Sequence, residues 1–331
     1  MSAWESEGMN VNTNNKSKKR LMIKKTIIGL ICLTGIVLLV IVFFDPYIAR
    51  FVVWSIVQWD KAAAERGDVN AMYRQACRYD RPAIGNIWIG NHSEAVKWYR
   101  KAAEQGDARA QYQLGRIYAE GYDVPLDENE ALKWFRKSAE QGDADAQCEL
   151  GYWHSVGRIV ERNENEAVAW WQKSAKQGNV VAQTKLAECY FNGMGVTEDK
   201  AEAFRWFLKA AEQDDLDSQY MLAWCYFNGV GTEKDDKEAV KWWLKCSLYN
   251  PQTKFFLGVC YENGFGVDKD VAEAAKWYRK AAVQGNPDAQ YAFGKCLYNG
   301  FGVKENKAEA VKWFQKAAKQ GSTEAKSFLT E

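Results

Sequence analysis

Trp98-Tyr-Arg-Lys-Ala-Ala-Glu-Gln-Gly106, Trp134-Phe-Arg-Lys-Ser-Ala-Glu-Gln-Gly142 and Trp277-Tyr-Arg-Lys-Ala-Ala-Val-Gln-Gly285 are three copies of one phrase. Its tryptophan returns at 98, 134, 170, 206, 242, 277 and 313, every 36 residues except for one interval of 35. A divergent copy starts at Trp59. A fixed period of this length marks a solenoid: one small unit cannot bury its apolar face alone, and stacking many of them can.

Each period reads as two helices. In the first, here helix A, Ala110, Leu114, Gly115 and Tyr118 fall on one stripe at helical spacing. Gly115 costs helix propensity, and the expected return is close approach of a neighbouring helix. In helix B, Ala131-x2-Trp134-Phe135-x2-Ser138-Ala139 alternates bulk with small residues. Gly142 is expected to end helix B in a left-handed cap. The pairs Gly193/Gly195, Gly264/Gly266 and Gly300/Gly302 lie between helices and recur with the period. A phosphate-cradling loop would need a preceding strand and a longer glycine pattern, so these are structural turns at positive φ.

Seven units are expected, at 69–105, 108–141, 144–177, 180–213, 216–250, 252–284 and 288–320. A juxtamembrane and capping helix within 45–68 leads in, and a half-helix in 321–331, Glu324–Leu329, closes the far end. Ahead of them, Thr26–Phe44 is a run of 19 residues without a charge. As a helix it reaches roughly 28 Å, the thickness of a bilayer's hydrocarbon core. It is longer than a signal-peptide core and no small-x-small cleavage site follows, so it reads as an uncleaved anchor. Six basic residues sit in the polar, disordered tail 1–25 against Glu5 and Glu7. That places the N-terminus in the cytoplasm and the repeats outside it, in the periplasm.

Net charge is +1, and past the basic tail the chain is slightly acidic, without the basic face of a nucleic-acid binder. Cys189, Cys225, Cys260 and Cys296 hold one equivalent position that other units give to Ile117 and Trp153. Stacked units are too far apart at that position for a disulfide, so the thiols read as buried and inert. The two histidines, His92 and His154, belong to no HExxH-type pattern. Ser93 is expected to cap a helix rather than to serve the Asn91-His92-Ser93 glycosylation acceptor. No catalytic, metal or cofactor site is expected.

These motifs resemble the SLR (Sel-one-like repeat) family of the tetratricopeptide-like superfamily, over about 260 residues. The resemblance implies an all-α, right-handed superhelix acting as a non-enzymatic adaptor for another protein, here a bacterial inner-membrane member. An alternative within the family is an immunity protein neutralising an envelope-acting, phospholipase-type effector toxin. Cysteine-rich secreted relatives pair two cysteines per repeat; here Lys254 stands where a partner of Cys246 would be. Other departures are Asp80–Gly90 in place of a glycine turn, His154 for tyrosine, and Asp214 and Asn250 for the capping glycine. By resemblance the helix-A face opposite the core lines a concave groove. Its partner-binding candidates are Arg116, Tyr152, Met221, Trp224, Phe256, Val259 and Lys295, with the four apolar residues from Met221 to Val259 forming a patch.

Overall fold

The structure, a computed structural model, describes residues 57–80, 92–121, 124–248 and 250–330. The expected tail, the span Thr26–Phe44 and most of the Asp80–Gly90 segment lie outside these residues. No described helix is long and apolar enough to cross a membrane.

Every regular element among the described residues is a helix. Residues 57–65 are helical (α1). There follow α2 (Val69–Asp80), α3 (His92–Glu104), α4 (Ala108–Glu120), α5 (Glu128–Glu140) and α6 (Ala144–Val156). Next come α7 (Glu164–Lys176), α8 (Val180–Asn192), α9 (Lys200–Ala211), α10 (Leu216–Asn228) and α11 (Asp236–Cys246). The last are α12 (Pro251–Asn263), α13 (Val271–Val283), α14 (Pro287–Asn299), α15 (Lys307–Lys319) and α16 (Thr323–Thr330). The described residues divide into two compact bodies, 57–107 and 108–330.

In the first body α2 packs on α3, and Asp60 of α1 joins Arg74 and Arg78 of α2 at 2.8 and 2.5 Å. Ser93, expected as a cap, lies inside the first turn of α3, which begins one residue earlier.

The second body is a run of alternating A and B helices, each packed on the next. From α5 to α15 every helix starts on an Asp or Asn whose side chain accepts a backbone N–H of the first turn, as Asp127 does from Glu130 at 2.9 Å. Each such cap is worth about 1 kcal/mol. The Gly115 expectation holds. The Phe135 ring packs against that glycine, and a Cβ there would sit 2.7 Å from it. Trp171 covers Gly151, Tyr278 covers Gly258 and Phe314 covers Gly294 in the same way. The residue after each repeat tryptophan is therefore the core of its unit: Phe135, Phe207, Trp243, Tyr278 and Phe314 are all at most 1% exposed.

The glycine turns are structural. Gly195 has φ +66°, and a side chain there would collide with the carbonyl of Glu164, the first residue of the preceding unit's helix B. Gly231, Gly266 and Gly302 press on Lys200, Asp236 and Val271 in the same way. The second glycine thus joins one unit to the last. Ile159 holds the corresponding place after α6 and still takes a φ of +60°.

The two departures from the capping glycine resolve differently. Asp214 replaces that glycine and adopts its left-handed conformation, φ +65°. Asn250 does not. Its φ is −101°, and its side chain caps α12 by accepting from Gln252. The missing residue of the 35-residue interval therefore falls in the link between α11 and α12, and α11 is shortened to 11 residues where most helices here have 13. Within this body, α11 and α12 make the least extensive contact of any consecutive helix pair.

Candidate functional site

The exposed face of the A helices carries the candidate residues. Tyr152 is 48% exposed, Lys295 is exposed, and Arg116, Met221, Trp224, Phe256 and Val259 are half-buried. Arg116 meets Glu120 at 3.3 Å, Lys295 lies 5.8 Å from the Tyr291 ring, and on the same face of α8 Lys185 meets Glu188 at 2.8 Å. The four apolar members are not equivalent. Phe256 stacks on the buried Trp243 ring at 5.0 Å with the planes 5° apart, and Met221 packs on the same core. Trp224 meets the Phe191 ring at 5.9 Å in a T-shaped arrangement, 72° between the planes. Trp224 and Tyr152 are thus the more available aromatics of this face, whereas Phe256 is half core.

Between consecutive units the A-helix face dips into a recurrent pocket. Its floor is the core aromatic of helix B and a cysteine of the next A helix; its mouth is the residue between the two turn glycines. Whether it is full depends on one position, two residues before the first turn glycine. Phe191 fills it between the fourth and fifth units, against Phe207 at 6.2 Å with the Lys200 ammonium 3.9 Å from its ring. Phe227 fills the next one, against Trp243 at 5.3 Å and Phe265 at 5.8 Å, with Lys234 at 5.4 Å. Between the second and third units Arg158 enters instead, 5.0 Å from the Trp153 ring and paired to Glu128 at 2.6 Å. Ser155 holds the position in the third unit and leaves a pocket of about 230 Å³ open; in the sixth, Glu262 accepts from the floor Tyr278 hydroxyl, with cavities of about 210 and 340 Å³ beside it. This position escapes a repeat-based reading because it varies from unit to unit. Its alternation between Phe and small or polar residues is the signal.

A second arrangement is a ladder of glutamines. Gln147, Gln183, Gln219 and Gln290 of the A helices each donate to a terminal carbonyl of the preceding B helix at 3.1–3.2 Å. The side chains of Gln111, Gln147, Gln183 and Gln290 accept from Gln141, Gln177, Gln213 and Gln320 at 2.6–2.9 Å. The shortened link breaks the ladder. The Gln219 side-chain oxygen is buried without a partner, and Lys254 stands in the glutamine slot, donating to Gln284 at 2.6 Å and to the Leu248 carbonyl at 2.9 Å. Burial lowers the Lys254 pKa. Each repeat tryptophan also has a lysine three residues on, held 3.8–4.5 Å from its ring.

The described cysteines are free thiols. Cys189, Cys225, Cys260 and Cys296 are buried as expected, and burial pushes Cys225 and Cys260 up to about 12 and Cys189 and Cys296 up to about 11. Cys246 lies near Thr253 at 3.7 Å, beside Lys254. His154 is half-buried with Nδ1 unpartnered, and burial lowers its pKa. Among the described residues no group of His, Cys, Asp and Glu side chains is arranged to hold a metal.

The Sel1 repeat matches residues 89–107, 108–143, 144–179, 180–215, 216–245, 251–286 and 287–322. The chain belongs to the Sel1 repeat family. Among solved structures, the Sel1 repeats superpose on c5321, a protective antigen of uropathogenic Escherichia coli displaying an SLR fold. The TM-score is 0.74 and the identity 32%, over 82% of this chain and 58% of that one. A Sel1 repeat protein from Oxalobacter formigenes gives a TM-score of 0.59 and 34% identity, over 83% of this chain and 79% of that one. The Sel1 chain thus spans little more than half the length of the antigen. No curated protein matches it.

Proposed function

We propose that this Sel1 repeat chain is a non-enzymatic scaffold, anchored in a bacterial inner membrane by Thr26–Phe44, that holds a periplasmic protein partner on its A-helix face. The observation that carries the reading is the contrast between the two faces of the A helices. One face repeats Leu, Gly and Cys in a sealed core. The other changes in every unit and offers Tyr152 and Trp224 among ion pairs. A face that varies over an invariant core suits recognition, and aromatic residues ringed by polar groups suit binding hot spots. Burial raises the pKa of the core thiols, which disfavours the thiolate that a nucleophilic role would need.

The test is a photo-crosslinker placed at Tyr152 in living cells, with one at Val283, a 68% exposed helix-B residue, as control. Crosslinking to one defined protein from Tyr152 and not from Val283, abolished by Trp224→Ala, is expected. Equal capture from both positions would remove the A-helix face from the proposal. If the captured partner is a secreted effector whose toxicity the chain suppresses, the role is immunity; otherwise it is adaptor. A C-terminal periplasm-dependent reporter should be active, and a cytoplasmic signal would overturn the anchor's orientation.

A further inference from the structure

The chain contains both full and empty copies of one pocket, and the full copies show what fits. In the fourth and fifth units the filler is a phenylalanine ring set at an angle against a core aromatic, with a lysine ammonium close to it. In the third unit the backbone turn and the floor are kept, with Trp171 and Cys189 buried beneath. The filler is gone, because the position holds Ser155, and the wall that Trp224 of the next A helix makes beside Phe191 is here the Lys185–Glu188 ion pair at 2.8 Å. The serine hydroxyl turns back to donate to the Tyr152 carbonyl at 2.7 Å and leaves the space free. The mouth is flanked by Tyr152 and by Met194, 39% exposed at the turn tip. Arg162 stands where Lys234 stands two units on, five residues after the glycine that caps helix A. It pairs with Glu164 at 2.5 Å at the rim, with its side chain 67% exposed.

We infer that the Ser155 pocket is a socket for one aromatic side chain of a partner polypeptide, taking in trans the place that Phe191 and Phe227 take in cis. A cavity of about 230 Å³ is below the range of small-molecule sites, about 300–1,000 Å³, and suits a single side chain. Its floor is apolar and aromatic, which favours edge or offset ring contact. Arg162 supplies the cation that Lys234 supplies beside Phe227. The inference rests on the proposed binding role of the A-helix face and names one chemical feature of the partner.

The full-length chain in detergent, used as bait against a displayed library of random peptides, tests it. The expected result is a set of binders sharing Phe, Tyr or Trp at one fixed position. Ser155→Phe, which fills the socket from within, should weaken them roughly tenfold or more. Arg162→Ala should weaken them roughly threefold, and Ser155→Ala should leave them unchanged. Ser155→Phe should melt no lower than the native chain; if it does, Ser155→Leu carries the same comparison. Binders without a shared aromatic, or aromatic binders that hold the filled variants as tightly as the native chain, would overturn the socket. Binders lost with Trp224→Ala yet retained by Ser155→Phe would overturn it while leaving the wider face reading in place.

Discussion

At the residue scale, two backbone positions carry opposite expectations. Ile159 is β-branched and held at φ +60°, a conformation costly for such a side chain. Ile159→Gly should therefore stabilise the chain by about 1 kcal/mol, seen as a higher denaturation midpoint. Gly231→Ala should cost at least about 2 kcal/mol, because the added methyl meets both a left-handed φ and the Lys200 carbonyl. His154 has a native pKa lowered by burial, so below about pH 6.5 the unfolded chain binds the extra proton and native stability falls with falling pH. His154→Tyr restores the residue used at Tyr118, Tyr190 and Tyr226, and should flatten that dependence in melting curves between pH 5 and 7.5. The helix-facing glycines and the buried cysteines were legible in the sequence because each recurs in register. The role of Ser155 was not: absence of a side chain becomes a feature only once Phe191 is seen occupying the same volume.

At the element scale, Gln147, Gln183 and Gln290 tie their A helices to the B helix before and the B helix after. The regular rungs of this ladder could have been read from the recurring Ala-Gln pair, but only the structure shows which carbonyls they reach. Asn250 illustrates the limit of register counted from tryptophans. Counting eight residues from Trp242 places it at the helix-ending glycine, whereas the chain drops one residue there and uses it to begin α12. Lys254→Met should cost about 1–3 kcal/mol in chemical denaturation, since it leaves Gln284 and the Leu248 carbonyl without their donor. The four core thiols should resist a maleimide reagent at pH 8 in the native state and react in denaturant. Fast native labelling of Cys225 or Cys260 would contradict their burial.

At the scale of the whole molecule, the same unit supplies a constant interior and a face free to vary. The sequence made the first legible through its period. The second is only partly readable there, since spacing alone assigned Phe256 and Trp224 equal standing. The structure separates them: Phe256→Ala should lower stability by about 2 kcal/mol through its contact with Trp243, whereas Trp224→Ala should leave the melting temperature within a few degrees. The link between α11 and α12 has a further consequence. With one residue fewer, an unanswered glutamine oxygen and the sparsest packing of its body, it is the seam at which cooperativity is weakest. Amide exchange under mild denaturant should find α12 to α16 opening as a block of their own, before the helices from α4 to α11 let go.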